Sequence, residues 1–179
     1  MKITDFRKIP QFPHCPYRVD VPWTYLEKHI EKAQMEINLN LNPDFQRAHV
    51  WSTKQQIDYC EYILRNGTSG RELYFNCPGW MGNFEGPYLI VDGKQRLNAV
   101  RRFMAGEIQV FGSSIHKYKN EPDTLIASFS WNIAALKTRR EVLQWYINFN
   151  SGGTSHTDEE IQKVKDLLDK EMRSSQTRR

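Results

Sequence analysis

Tyr88-Leu89-Ile90-Val91-Asp92-Gly93-Lys94-Gln95-Arg96-Leu97 is the stretch whose reading decides how this chain folds. Its apolar run, Tyr88 to Val91, reads as a strand. From Leu97 onward, Leu97, Val100, Arg101 and Met104 fall at helical spacing. A strand therefore ends in a tight Asp-Gly turn that feeds a helix closed by Gly106. Such a helix start gathers an acid, an amide, an ammonium and a guanidinium. Free backbone N–H groups and the positive end of the helix dipole attract anions there. Lys94 and Arg96 add formal charge, and a guanidinium grips two oxygens at once. Asp92 is placed to hold a metal ion or orient a water. Asp-Gly is also a common turn dipeptide, and Lys-Gln-Arg is ordinary helix-surface composition.

Upstream of this junction, residues 1–20 contain Pro10, Pro13 and Pro16 and read as an irregular arm that packs through Phe6, Phe12 and Tyr17. Asp20 is placed to cap a first helix with Pro22 in its first turn and Trp23, Leu26 and Ile30 as its apolar stripe. Met35, Ile37, Leu39 and Leu41 alternate with polar residues, which predicts a half-buried strand. Asn42 to Arg47 is a loop. Ser52 and Gln55 form a capping box for a helix over residues 53–65, with Ile57, Cys60 and Leu64 inward and Gly67 ending it. Leu73 to Asn76 is a strand and 77–87 a loop or hairpin connection.

Downstream, Glu107 to Phe111 and Ser128 to Ile133 read as short strands. Thr138 with Glu141 caps a helix carrying Val142, Trp145, Tyr146 and Phe149. That helix stops in Asn150-Ser151-Gly152-Gly153-Thr154. Thr157 with Glu160 caps a last helix carrying Ile161, Val164, Leu167 and Leu168, and residues 173–179 form a flexible basic tail. Strands and helices are interspersed, so the expected fold class is α+β (mixed α/β), in one domain over residues 21–172.

Composition bounds the function. Hydrophobic residues make up 39% and aromatic residues 12% of the chain, enough for a packed core and too much for a disordered protein. A mean hydropathy of −0.68 and the lack of an apolar run near eighteen residues argue against a membrane span, and Met1 to Arg7 lacks a signal peptide's apolar core. The expectation is a cytoplasmic protein. Cys15, Cys60 and Cys77 show no Cys-x-x-Cys spacing and read as reduced, partly buried thiols. His14, His29, His49, His116 and His156 form no ligand pair. A net charge of +4 permits a nucleic-acid partner without demanding one. The cluster Lys137, Arg139 and Arg140 suits a solvated face as well as a phosphate track.

Three loops carry polar residues that packing does not explain: Asp44-Phe45-Gln46-Arg47 with Trp51 after it, the Asp92 to Arg96 turn, and Asn148 to Thr154. In the third, glycines allow close backbone approach to a ligand; a plain left-handed helix stop is the simpler reading. In that order these motifs resemble the domain at the N-terminus of GmrSD-type modification-dependent restriction enzymes, found also in SspE-type phosphorothioate sensors. That domain belongs to the ParB/sulfiredoxin-like superfamily, and the resemblance covers roughly residues 20–165.

The resemblance implies a small mixed sheet surrounded by helices that binds, and often hydrolyses, nucleoside triphosphates. It assigns the nucleotide-phosphate and catalytic signature to Asp92, Gly93, Gln95 and Arg96. Lys94 stands at its variable position, where Gln is commoner. Phe45, Gln46 and Arg47 fall beside the same pocket, and Asn150, Gly152, Gly153 and Thr154 carry the third motif. The expected catalytic residues are Asp92, Gln95 and Arg96, with Gln46, Arg47, Gly93, Lys94, Asn150, Gly152, Gly153 and Thr154 binding phosphate or nucleotide. Asp92 is the candidate magnesium ligand. Lys94, Arg96 and Arg47 would offset charge on phosphate oxygens while Gln46 and Gln95 orient water or read a base or sugar edge.

The large restriction relatives carry an HNH-type nuclease domain that this sequence does not contain. The expected partners are therefore nucleotide, DNA and a separate nuclease or other subunit. DNA cleavage by the same site is a close variant of the NTPase reading. A non-catalytic DNA-binding module that uses nucleotide as a switch is the alternative, with Trp51 and Trp80 stacking bases or packing in the core. A small interaction protein that keeps the fold without activity is a third, weighed against by the intact Asp-Gly-Lys-Gln-Arg.

Overall fold

The computed structural model describes residues 4–5, 9, 13–48, 50–123, 126–150 and 158–176. Its elements run β1 (Tyr17–Pro22), α1 (Leu26–Ile37), β2 (Leu39–Asn40), α2 (Thr53–Leu64), β3 (Glu72–Asn76), β4 (Tyr88–Asp92), α3 (Lys94–Met104), β5 (Ser128–Ala134), α4 (Arg139–Asn150) and α5 (Asp158–Gln176). The strands form one mixed sheet in the order β1-β5-β3-β4-β2. β1–β5 and β3–β4 are antiparallel; β3–β5 and β2–β4 are parallel. The fold is α+β.

The apolar run at 88–91 has a packing cause. Tyr88 and Ile90 face a core built with α1, α2 and α3, while Leu89 and Val91 face a second core built with α4 and α5. A strand covered on both faces has no polar side to show, so its sequence reads as continuous rather than alternating. Leu73 and Phe75 on β3 join the first core and Tyr74 the second. Phe75 stacks on Trp131 of β5 at 4.2 Å between ring centroids.

The capping boxes expected at Ser52 and at Thr138 form. Ser52 Oγ accepts from the Gln55 N–H at 3.2 Å while Gln55 Oε1 accepts from the Ser52 N–H at 2.8 Å. The Thr138 N–H donates to Glu141 Oε2 at 2.9 Å, and the Glu141 N–H donates to Thr138 Oγ1 at 3.3 Å.

Several expectations are corrected. Asp20 caps no helix: it lies in β1, where β-branched Val19 and Val21 favour pairing with β5, and its carboxylate accepts from Ser130 Oγ. The irregular arm therefore gives way to strand at Tyr17. The strand expected from Met35 to Leu41 is mostly the end of α1; Ile30, Ala33 and Ile37 extend its inward stripe, and Asn38 stops it at φ 53°. Met35 is 79% exposed, so the period-two pattern was fortuitous there. α2 turns Gln56, Cys60 and Ile63 fully inward, leaving Ile57 and Leu64 half-buried. Glu107 to Phe111 forms no strand beyond a Val110–Ser113 bridge, although Ile108 and Val110 are buried. α5 continues through Gln176 instead of ending near Met172. Gly152, Gly153, Thr154 and the Thr157 cap lie outside the described residues.

Candidate functional site

The turn after β4 depends on Gly93. Its φ is 98°, and a Cβ there would lie 2.3 Å from Leu73 Cδ2. Only glycine fits both the left-handed backbone and the close approach of β3. Gly93 is the N-cap of α3 with no side-chain cap, so the first turn of the helix keeps its N–H groups for other acceptors. β3 is bulged where it passes this turn: Tyr74 pairs with Asp92, and Phe75 with Ile90. The bulge sets Tyr74 beside Asp92 at the sheet's end, a common position for re-aiming side chains.

Each polar residue of the pentad has a distinct part. Arg96 Nη2 donates to Asp92 Oδ2 at 2.6 Å and to the Glu72 carbonyl at 3.0 Å. Its Nε is buried without a hydrogen-bond partner. Lys94 Nζ donates to the Arg47 carbonyl at 3.0 Å, and burial holds its pKa below the ordinary lysine range. Gln95 is only 8% exposed. Its Oε1 accepts from the N–H groups of Val50 and Trp51 at 3.1 and 3.3 Å, and its Nε2 donates to the Ala48 carbonyl at 3.1 Å. Gln95 thus grips the chain at 48–51 with both ends of its amide. Gln46 behaves alike: its Nε2 donates to the Val91 carbonyl at 2.7 Å and the Ile90 carbonyl at 3.3 Å.

These bonds dock the 44–48 loop onto the β4–α3 junction. Phe45 anchors it, 3% exposed and edge-on to Tyr146 at 5.2 Å. Arg47 is left at the surface of the pocket, where Nη1 meets Glu160 Oε2 of α5 at 3.4 Å. Asn148 and Asn150 end α4 on the other side; Asn150 Nδ2 donates to the Tyr146 carbonyl at 2.7 Å.

One cavity of about 860 Å³ joins the three loops. Gln46, Arg47, Asp92, Gly93, Lys94, Gln95, Arg96 and Asn150 all line it. Of the residues singled out from sequence for this pocket, only Gly152, Gly153 and Thr154 fall outside the described part. Sequence reasoning missed Cys15, Asp58, Tyr74 and Tyr146 on its wall. Burial pushes the Cys15 thiol and the Tyr74 phenol up, and the Tyr146 phenol up to about 12 against the pull of Arg47. Tyr74 had a signal: it sits between Leu73 and Phe75, so strand alternation turns it to the opposite face. Trp51 and Trp80, named as possible base-stacking rings, are half-buried against the first core; Trp51 also lines the cavity.

The match to known families is decisive. Residues 26–172 match the family model of the GmrSD restriction endonuclease, N-terminal domain. The chain belongs to that family. No curated protein and no solved structure gave a match. In this GmrSD-type domain the matched region runs from the first residue of α1 into α5 and contains all three polar loops. Among the described residues, no helix is long and apolar enough to cross a membrane.

The donor set builds no cage for a magnesium ion. Among the described residues no three His, Cys, Asp or Glu side chains come together as a ligand cluster. The cavity offers Asp92 and, from α2, Asp58, which pairs with Lys54 at 2.6 Å. One free-edged carboxylate beside three cations suits a magnesium ion that arrives on phosphates and keeps its waters; it does not suit a protein-held metal cage.

Proposed function

We propose that this domain binds a nucleoside triphosphate and hydrolyses it in a DNA-directed process, restriction or defence against phage. The observation that carries the reading is the meeting of Arg47, Lys94, Arg96 and the uncapped start of α3 on one cavity. Arg96 supplies a fixed guanidinium, Lys94 a compact charge held by the Arg47 carbonyl, and the α3 amides a further set of donors. Together they suit a group with several anionic oxygens in a row. The family is named for a restriction enzyme, which supports a role on DNA.

In this reading Arg47, Lys94 and Arg96 hold the non-bridging phosphate oxygens and offset the charge that grows on them as water attacks the terminal phosphorus. Asp92 orients the water, its other oxygen kept in place by Arg96. A magnesium ion carried by the nucleotide would neutralise phosphate charge and lie against Asp92. Gln95 and Gln46 position the 46–51 loop, so their share in catalysis passes through Arg47. Cleavage of a DNA phosphodiester in the same pocket is the close variant.

A specific observation favours a second reading, nucleotide as a switch without turnover. Asp92 already accepts a 2.6 Å bond from Arg96, so one of its two oxygens is engaged by a cation instead of an attacking water. The test mixes the protein with each NTP and magnesium, with and without plasmid DNA, beside Asp92→Ala and Arg96→Ala. Phosphate release abolished by Asp92→Ala supports hydrolysis. Nucleotide-dependent DNA retention without release or nicking supports the switch. Absence of any nucleotide binding overturns both.

A further inference from the structure

Phosphate chemistry uses only part of the cavity. The remainder is bounded by Tyr74, Trp145 and Phe149, with Pro13 and Cys15 beside them. The three rings form one mutually packed wall: Tyr74 and Phe149 lie 4.6 Å apart between centroids, Trp145 and Phe149 5.7 Å, and Tyr74 and Trp145 6.3 Å. Trp145 is buried behind the wall at 2% exposure, whereas Tyr74 and Phe149 are partly buried and line the cavity. The wall stands next to the phosphate-ready turn, because the β-bulge pairs Tyr74 with Asp92. Asn148 and Asn150 flank Phe149 with amide groups at the same lining.

We infer that Tyr74 and Phe149 are a base-stacking platform, and that the cavity takes a whole nucleotide with its base against this wall. The inference rests on the proposed phosphate site and adds to it which part of the ligand gives the affinity. Size argues for it: about 860 Å³ is in the range of pockets that hold drug-sized ligands, and a triphosphate chain alone leaves most of it unfilled. Chemistry argues for it as well. An aromatic face accepts any base through its π-surface, so stacking alone discriminates weakly. Selectivity then falls to the carboxamides of Asn148 and Asn150. Asn150 is pre-set for this by its bond to the Tyr146 carbonyl, and Asn148 by the bond its Oδ1 accepts from Gln144 at 3.0 Å.

The ring at 149 also has a positioning value for α4. Phe149 packs on the second core, so Phe149→Leu keeps an apolar side chain there and removes only the π-face. Phe149→Leu, Phe149→Ala and Trp51→Leu are therefore tested together, each checked by thermal melting. Binding is measured calorimetrically with the β,γ-imido analogues of ATP, GTP, CTP and UTP and with inorganic tripolyphosphate, all with magnesium. The expected result is that at least one nucleotide analogue binds ten times or more tighter than tripolyphosphate. Phe149→Leu should weaken that nucleotide about tenfold, within the range for loss of one stacked base, and leave tripolyphosphate unchanged. Equal affinities for tripolyphosphate and every nucleotide would overturn the platform while leaving the phosphate site standing. Loss of the nucleotide preference in Trp51→Leu but not in Phe149→Leu would overturn it too, moving the base to the α2 side. If neither tripolyphosphate nor any nucleotide binds, the platform falls together with the phosphate reading.

Discussion

Gly93 is the residue on which the site turns, because it combines a left-handed φ with a backbone approach that leaves no room for a side chain. Gly93→Ala would force both the strain of φ 98° and a clash with Leu73, a residue at 0% exposure. The expected cost is about 2 kcal/mol or more in denaturant unfolding, since each effect alone is worth about 1 kcal/mol. Nucleotide affinity should fall with it; an unchanged stability would show that Leu73 yields. Gln95 makes a contrasting case. Its three side-chain bonds end on backbone at 48–51, so Gln95→Ala removes all three at once and leaves two N–H groups and a carbonyl without that partner. The expected outcome is a loss of about 1–3 kcal/mol in unfolding free energy and faster amide exchange at Val50 and Trp51. Retention of slow exchange at those two amides would mean that another group holds the loop.

Helix ends carry the next set of effects. The Thr138–Glu141 box opens α4, and the hydrogen bonds from the Thr138 hydroxyl and N–H hold the Glu141 carboxyl below its usual range. A carboxyl depressed in the folded state stabilises the fold above its unfolded pKa, about 4.3 for glutamate, and loses that contribution as pH falls through the lowered folded value. Thr138→Ala should therefore lower stability at neutral pH, by about 1 kcal/mol for a lost cap, and flatten the decline below pH about 4.3. Melting temperatures across that range check it; parallel curves for the two proteins would exclude the box as the cause. Such boxes were legible because they are spelled within four residues. β4 and α3 were legible for a similar reason, an apolar run followed by a helical repeat. What escaped was set by distant partners. Asp20 belongs to a strand because β5 lies beside it, and Met35 belongs to a helix because the stripe of Ile30, Ala33 and Ile37 outranks a chance alternation. Ile108 and Val110 are buried outside any strand, with only the Val110–Ser113 bridge beside them. Most of the site was likewise legible as three polar loops, whereas its aromatic wall needed the bulge in β3 to become visible.

Across the whole molecule, the cavity sits where the two cores meet, and α5 is tied to its rim by charge. Arg139 of α4 bridges Asp44 of the 44–48 loop at 2.7 Å and Glu171 of α5 at 3.3 Å. Arg47 of the same loop meets Glu160 of α5 at 3.4 Å, both side chains less than a third exposed. Phosphate arriving at Arg47 must share that guanidinium with Glu160. A partly exposed pair of this kind is worth about 1 kcal/mol, and a fivefold change in affinity corresponds to about the same energy. Glu160→Gln should thus tighten nucleotide binding about fivefold at low salt, with the gain shrinking as ionic strength rises, because a charge facing the ligand is removed. The Arg139 bridge keeps α5 docked, so the melting temperature should move little. Titrations of the β,γ-imido nucleotide at two salt concentrations read the effect directly. Unchanged affinity at low salt would take Arg47 out of the phosphate site and leave Lys94 and Arg96 to hold the anion, whereas a gain that vanishes in Arg47→Ala would place the competition at this one guanidinium.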